Sequence, residues 1–345
     1  MLFLKSFQEN ALFHYEKNPF LKFFWDKMNF HPSELDSEES LSRVPGVLVN
    51  VFKEFEMISV PKDDVVLTLT SSGTNGQKSQ QFLSQESLDH VKKLAWSIHE
   101  SLGLTSDDKF NYLCFTYDPA VAKDLGTAFT DELLTNFTKK ENVFYAIQWS
   151  EEKQDFFLNE AETLKKFDEF SKSDIPVRIL GFPAILFDLI LKHKLKLKLP
   201  EGSWLQTGGG WKDKADKEIP KKEFRLFIQD SLGIKESHQR DLFGMVEHGI
   251  PYVDCEFGEL HIPNYSRVFI RSPKDFSVLP FGETGIVHFL CSYNFSYPAP
   301  SLQTTDFGYL KKCQCSLGGD VLVITGRAGL NLQKTCALKA LEVIK

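Results

Sequence analysis

The chain has 345 residues, long enough to bury a large core, and its 42% hydrophobic and 25% charged content is that of an ordinary folded protein. Those proportions exclude disordered, collagen-like and coiled-coil chains. A formal net charge of −7 argues against a nucleic-acid groove as the main business of the molecule.

Residues 1–60 read as mostly helical, punctuated by Asn18-Pro19 and His31-Pro32, with Ser33 or Asp36 able to cap a following helix. The opening MLFLKSFQENALFHYEK has charges inside its apolar stretch and no small-residue cleavage site, so it does not read as a signal peptide. No apolar run approaches the roughly 18–20 residues that span a bilayer. Val65–Thr70 (VVLTLT) is a β-branched run ending in a Ser/Gly/Thr/Asn cluster, a strand that feeds a loop. Over Ser84–Leu102 the residues Leu88, Val91, Leu94, Ala95 and Ile98 share one helical face. Phe110–Tyr117 reads as a buried strand, Ala128–Phe137 as a helix and Asn142–Gln148 as a further strand. Glu151–Lys172 reads as a charged amphipathic helix and Val177–Leu180 as a short strand. An apolar helix follows Phe182-Pro183, running through Ile185, Leu186, Leu189 and Ile190, and Ser203–Gln206 is another strand.

This alternation predicts an α/β fold, layered sheets covered by helices. From about residue 250 the texture changes to short strands (Glu259–Pro263, Ser266–Arg271, Gly285–Leu290, Val321–Ile324) separated by Gly, Pro and Asp turns. The expected division is an α/β body over 1–250, a smaller β-rich subdomain of the same unit over 251–325, and a short tail over 326–345. Thirty-one phenylalanines predict a Phe-rich core, with an aromatic-lined pocket for an apolar ligand as the alternative.

Five clusters can carry chemistry. In Thr70-Ser71-Ser72-Gly73-Thr74-Asn75-Gly76-Gln77-Lys78, two glycines admit close backbone approach, the hydroxyls and freed N–H groups favour an anion, and the lysine adds a point charge. The preceding strand and following helix give the context of a phosphate loop, though not in Walker spacing. A solvent-exposed Ser/Gly turn is the plain alternative. The second cluster, Gln206-Thr207-Gly208-Gly209-Gly210-Trp211-Lys212, follows a strand with a backbone able to pass close to a flat or bulky group. In the third, Asp241 to Gly249, Glu247 can hold a hard cation through its oxygens, while His248 is more readily a hydrogen-bonded structural residue than a base. In the fourth, Gln303 to Tyr309, Asp306 can accept both hydroxyls of a ribose or close a hairpin as an Asx turn. The fifth is Thr325-Gly326-Arg327, with Cys336 nine residues beyond, a span of at most about 30 Å.

Six cysteines (114, 255, 291, 313, 315 and 336) in a chain of this length make no disulfide framework, and free thiols in a reducing cytoplasm are expected. Cys313-Gln314-Cys315 lacks the second nearby pair that a structural zinc site usually has, so its thiols are expected at a β-turn.

Taken in order, these clusters resemble the adenylate-forming superfamily of acyl-CoA synthetases, luciferases and peptide-synthetase adenylation domains. Ser71–Lys78 is similar to its phosphate loop, with Gln77 in place of the usual proline. Phe243-Gly244-Met245-Val246-Glu247 is similar to its aromatic-Gly-x-Thr-Glu motif, with Val246 where threonine is common. Gly282-Glu283-Thr284-Gly285, Thr305-Asp306-Phe307-Gly308 and Gly326-Arg327 resemble its Gly-Glu-x-Gly turn, Thr-Gly-Asp motif and hinge. Within it, Gly-Gly-Gly-Trp-Lys, Met-Val-Glu-His-Gly and a Cys-Ala near a short C-terminus resemble the LuxE-type acyl-protein synthetases (fatty-acid ligases).

The resemblance implies the fold of the large N-terminal domain of adenylate-forming enzymes, with the C-terminal domain and its catalytic lysine reduced to a short tail. It implies ATP-dependent activation of a carboxylic, here fatty, acid to an acyl-adenylate, transfer to a cysteine of the enzyme, and handover to a partner such as an acyl reductase, in the cytoplasm. ATP and Mg2+ are the implied cofactors. Lys78, Glu247 and Cys336 would be catalytic, with Glu247 also the metal ligand. Ser71, Ser72, Gly73, Thr74, Gly76, Gly208, Gly209, Gly210, Asp306 and Arg327 would bind the nucleotide. An acyl-CoA or aryl-CoA ligase, or a non-catalytic nucleotide-binding adaptor, are the other readings.

Overall fold

Asn18 sets the first boundary in the chain, and it does so by capping. The computed structural model describes residues 2–71, 79–122, 126–211 and 218–327. Helix α1 (Leu2–Lys17) ends at Asn18, whose extended backbone (φ −112°, ψ 109°) and side-chain oxygen, accepting the Leu21 N–H at 2.9 Å, start α2 (Pro19–Lys27). Pro19 takes the first helical position, where no N–H is needed. Beyond Lys27 the expected helical stretch gives way to 3-10 turns, the two-residue β1 (Val47–Leu48) and a single helical turn, α3 (Val51–Glu54).

The hairpin β2 (Val65–Thr70) and β3 (Gln80–Ser84) leads into α4 (Gln85–Ser101), which Ser84 caps. There follow β4 (Lys109–Tyr117), α5 (Gly126–Leu134), β5 (Lys139–Ser150), β6 (Asp155–Leu158), α6 (Glu160–Ser171), β7 (Val177–Gly181), α7 (Pro183–His193), β8 (Trp204–Gly208) and α8 (Lys221–Leu232). The chain continues through β9 (Gln239–Phe243), β10 (Tyr252–Val253), β11 (Leu260–His261), β12 (Ser266–Arg271), β13 (Gly285–Cys291), β14 (Ser301–Lys312) and β15 (Asp320–Arg327).

The first sheet has the order β10-β9-β8-β7-β4-β5-β6. From β9 to β5 its strands are parallel, and the two edge strands are antiparallel. β4 is buried from Phe110 to Thr116, as a strand covered by helices on both faces should be. The second sheet, β11-β15-β14-β13-β12, is antiparallel, and β1 joins the first half of β14 in parallel. Its apolar face packs on the N-terminal helices: Phe7, Leu21 and Trp25 share one core with Val287, Phe289 and Leu302. The fold class is thus the α/β one expected from the sequence.

Three local expectations change. Glu151–Lys172 is not one helix, because a left-handed Gln154 (φ 51°) turns the chain into β6, which pairs with β5 before Asn159 caps α6 through the Glu162 N–H. The helix α8 was not foreseen, although Phe224, Ile228 and Leu232 bury at helical spacing. The residues of β14 read as a turn, because hydroxyl, Asp and Gly residues favour turns locally, yet pairing on both sides makes them a strand. The phenylalanine surplus goes largely to packing, as in the Phe187, Trp211, Phe224 and Phe227 cluster. Among the described residues no helix is long and apolar enough to cross a membrane.

Histidines are unusually deep in this core. His14 bonds Ser59 Oγ and the Asn294 carbonyl, both at 2.8 Å, and His99 bonds the Ala95 carbonyl at 2.7 Å and Gln206 Nε2 at 2.9 Å. Burial pushes both down to about 4 from the ordinary 6.5, and His248 down to about 3. They fold neutral and would gain a proton only on unfolding. Stability should therefore be fully present above pH 6.5 and fall as pH drops toward 4, by about 1.4 kcal/mol per pH unit for each histidine. Urea unfolding at stepped pH should show that slope, and His14→Gln should make it shallower. A flat profile over this window contradicts the neutral, buried assignment.

Candidate active site

The described ends of the phosphate-loop candidate, Ser71 and Ser79, belong to the stem of a β-hairpin. β2 and β3 pair up to Thr70 and Gln80, and the stem closes with the Ser71 N–H on the Ser79 carbonyl and the Ser79 N–H on Ser71 Oγ, both at 3.0 Å. Ser72, Gly73, Thr74, Gly76 and Lys78 lie outside the described residues. The expected strand–loop–helix order is corrected here: a second strand, β3, comes before α4, so the α4 N-terminus lies at the far end of β3 from Ser79. The Ser71 hydroxyl braces the stem.

Ser79 supplies a contact that the sequence reading missed. Its buried hydroxyl donates to Glu247 Oε1, joining the hairpin to the turn after β9. In that turn the N–H groups of His248 and Gly249 both donate to the Met245 carbonyl, at 3.1 and 2.9 Å, which holds Glu247 inward at 5% exposure. His248 Nε2 lies 3.0 Å from the Tyr252 hydroxyl and its ring stacks on Phe289. Kept neutral by burial, His248 is a packing residue.

The glycine run follows β8, next to β9. Both strands end at the same side of the parallel sheet, where open α/β sheets bind ligands. Gly208 is the last residue of β8, and Gly209 and Gly210 have φ of +76° and +63°, conformations that side chains disfavour. Trp211 then anchors the segment against Phe187 and Phe224. Thr207 Oγ1 donates to Asp241 Oδ1 at 3.2 Å, tying the ends of the two strands together.

Two irregularities place Asp306. On one side, Ile286 pairs with Phe307 and His288 with Gln303, so Val287 alone faces Thr304, Thr305 and Asp306. Its carbonyl is satisfied by side chains instead, Gln303 Nε2 at 3.1 Å and Thr304 Oγ1 at 2.8 Å, and the same threonine hydroxyl accepts the Asp306 N–H at 3.0 Å. On the other side, Phe307 pairs with Gly326 and Gly308 with Ile324, leaving Thr325 as the extra residue. Such bulges re-aim side chains. Gly308 makes this possible, since a Cβ there would lie 2.4 Å from the Val323 carbonyl oxygen.

Asp306, 4% exposed, pairs directly with Arg327 across β14 and β15, with Nε to Oδ1 at 2.9 Å and Nη2 to Oδ2 at 3.4 Å. Burial works against the Arg327 charge, but Asp306 and then Glu247 outweigh it and hold the guanidinium above its ordinary range. Asp306 and Arg327 thus form a direct pair, the charge of Glu247 acts on the same guanidinium, and Ser79 bonds Glu247. A carboxylate has about four acceptor sites, so Asp306 keeps capacity for a diol while holding Arg327. Glu247, with Ser79 on one oxygen, offers the single carboxylate that Mg2+ commonly takes alongside phosphate oxygens and water, and the group fits. Cys336 lies outside the described residues.

The bulge can be tested by two alanines. Gly308→Ala should lower stability by about 1–3 kcal/mol, the usual cost of overpacking. Gly326→Ala, where a Cβ would meet nothing within 4 Å, should melt close to the parent. Equal melting of both variants, followed by circular dichroism, contradicts the close approach at Gly308.

A family model described as acyl-protein synthetase, LuxE, matches residues 1–344. The chain is similar to a long-chain-fatty-acid–luciferin-component ligase of Aliivibrio fischeri, 24% identical over 364 aligned positions that cover 99% of this chain and 88% of the relative. The Vibrio harveyi protein of the same name is 24% identical over 346 positions, covering 94% and 84%. Among solved structures, an open form of 2-hydroxyisobutyryl-CoA ligase in complex with 2-HIB-AMP and CoA superposes with a TM-score of 0.69 at 15% identity, covering 96% of this chain and 75% of that one. At that identity the likeness is one of fold.

Proposed function

The chain belongs to the LuxE acyl-protein synthetase family, and from that premise we propose that it is a cytoplasmic ligase that activates a long-chain fatty acid with ATP and passes the acyl group to its own Cys336. A carboxylate oxygen of the acid attacks the α-phosphorus, the bond to the bridging oxygen breaks, and pyrophosphate leaves an acyl-adenylate. The Cys336 thiolate then attacks the acyl carbon, AMP departs, and the thioester is handed to an acyl-reductase partner.

The observation that carries this reading is the buried Asp306–Arg327 pair, with the charge of Glu247 acting on the same guanidinium. Negative charge builds on phosphate oxygens as pyrophosphate leaves, and preorganised donors and cations stabilise it. Arg327 is a fixed cation at the site, and Asp306 offers acceptors for the ribose hydroxyls. Ser71, Ser72, Gly73, Thr74, Gly76 and Lys78 are assigned to the β- and γ-phosphates, and Gly208–Gly210 to the adenine and acyl ends. Glu247 would hold Mg2+, which supplies charge neutralisation at the phosphates. The names of the two bacterial luciferin-component ligases support a long-chain acid as substrate.

Acid-dependent ATP–pyrophosphate exchange tests the first half. Lys78→Ala and Glu247→Ala should each lower it about 10²–10³-fold, the usual loss for a charge-stabilising contact, with the thermal melting of Lys78→Ala close to the parent. Asp306→Ala should chiefly raise KM for ATP. A folded protein inactive with every acid from short to long chain overturns the ligase reading.

The second half is tested with radiolabelled acid. Cys336→Ser should keep exchange and lose hydroxylamine-labile label on the protein. Label that persists in Cys336→Ser moves the acceptor elsewhere. Product that forms only with added coenzyme A, with none retained on the protein, favours an acyl-CoA ligase.

A further inference from the structure

Away from this site, the turn from β10 to β11 and the turn from β14 to β15 bring four metal-binding side chains together. Cys313 and Cys315 have no second thiol pair near them in sequence, and from the sequence a metal there is not expected. The fold supplies the missing ligands from as far as 58 residues upstream.

Cys255 opens the turn after β10, its N–H donating to the Glu259 carbonyl at 3.0 Å and its carbonyl accepting the Gly258 N–H at 2.9 Å. The turn feeds β11, whose last residue, His261, pairs with Val321 of β15. Cys313 and Cys315 lie in the turn between β14 and β15, closed by Cys313 N–H on the Gly319 carbonyl at 3.0 Å and Gly318 N–H on the Cys315 carbonyl at 2.9 Å. Because β11 pairs with β15, the two turns lie side by side.

The three sulfurs and one imidazole nitrogen all lie within 4.8 Å of one another. Cys255 Sγ is 3.8 Å from Cys313 Sγ, and Cys315 Sγ is 3.2 Å from His261 Nε2. Zn–S bonds of about 2.3 Å and Zn–N bonds of about 2.0–2.1 Å place the corners of a tetrahedron ~3.5–3.8 Å apart. A disulfide would need its sulfurs at about 2.05 Å, and Cys255, Cys313 and Cys315 are free thiols. Cys255 and Cys315 are buried, and the Cys315 N–H points at Cys313 Sγ at 3.4 Å, a donor suited to a bound thiolate.

We propose that Cys255, His261, Cys313 and Cys315 form a structural zinc site. Thiolate and imidazole select zinc over the hard cations that carboxylates hold, and four protein ligands leave no open position for chemistry. The ion joins the segment leaving β10, at the edge of the first sheet, to the β14–β15 hairpin that carries Asp306 and Arg327.

Elemental analysis of protein purified under reducing conditions, without added metal, should find one zinc per chain. A thiol-reactive mercurial should release it to a chromophoric chelator. Cys313→Ser/Cys315→Ser should lose that zinc. To separate loss of the site from loss of folding, the wild-type chain is also stripped and titrated with Co2+. It should develop tetrahedral d–d bands with a thiolate-to-cobalt charge-transfer band, which Zn2+ then bleaches. Trace zinc together with a featureless Co2+ titration overturns the proposal, as does a Cys255–Cys313 disulfide mapped in thiol-blocked isolates.

Discussion

A buried carboxylate is costly unless donors or a cation meet it, and this fold buries two, Glu247 met by the Ser79 hydroxyl and Asp306 paired with Arg327. Much of the local architecture follows from that requirement. The Ser79 hydroxyl crosses from the β2–β3 hairpin to reach Glu247, which ties the stem of the phosphate-loop candidate to the turn after β9. Asp306 reaches Arg327 between two irregularities, a bulge in β14 against β13 and one in β15 at Thr325, and small or hydroxylated residues serve both: Thr304 replaces a lost ladder bond, and Gly308 lets β15 approach. A larger residue at 308 or an apolar one at 304 would keep the strand regular and aim the aspartate elsewhere.

The two sheets contribute different things to the site. The parallel sheet provides the carboxyl ends of the adjacent strands β8 and β9, the first followed by the glycine run and the second by the turn that holds Glu247. The antiparallel sheet provides Asp306 and Arg327 on paired positions of adjacent strands. The N-terminal helices pack on that second sheet through Phe7, Leu21 and Trp25, which share a core with Leu302 of β14, so residues far apart in sequence stabilise the strand that holds the aspartate.

How much of this was legible in the sequence depended on whether the signal was local. The compact run VVLTLT and the helical face of Val91, Ala95 and Ile98 announced β2 and α4. Asp306 and Glu247 stood out as carboxylates among glycines and hydroxyls, but the strand that carries Asp306 did not, because its residues have turn preferences and only pairing with β13 and β15 makes them extended. Ser79 was missed because nothing local marks a serine that bonds a glutamate 168 positions away. The four-ligand cluster escaped for the same reason: Cys313-Gln314-Cys315 is half a site, and the β11–β15 pairing that completes it is long-range. Glu151–Lys172 misled because charge spacing alone suited a helix, while Phe156 and Phe157 sit in a strand paired to β5.

The central claim is that a fatty acid's carboxylate attacks the α-phosphorus of ATP at the site built from Glu247, Asp306 and Arg327. The most direct measurement uses fatty acid labelled with oxygen-18 in its carboxylate, incubated with ATP, Mg2+ and the enzyme until acyl-protein forms, with the released nucleotide read by mass spectrometry. Attack on the α-phosphorus followed by thiol attack on the acyl carbon leaves one heavy oxygen in AMP and none in pyrophosphate. Heavy oxygen in inorganic phosphate or pyrophosphate, or acyl-protein formed with unlabelled AMP, would contradict it.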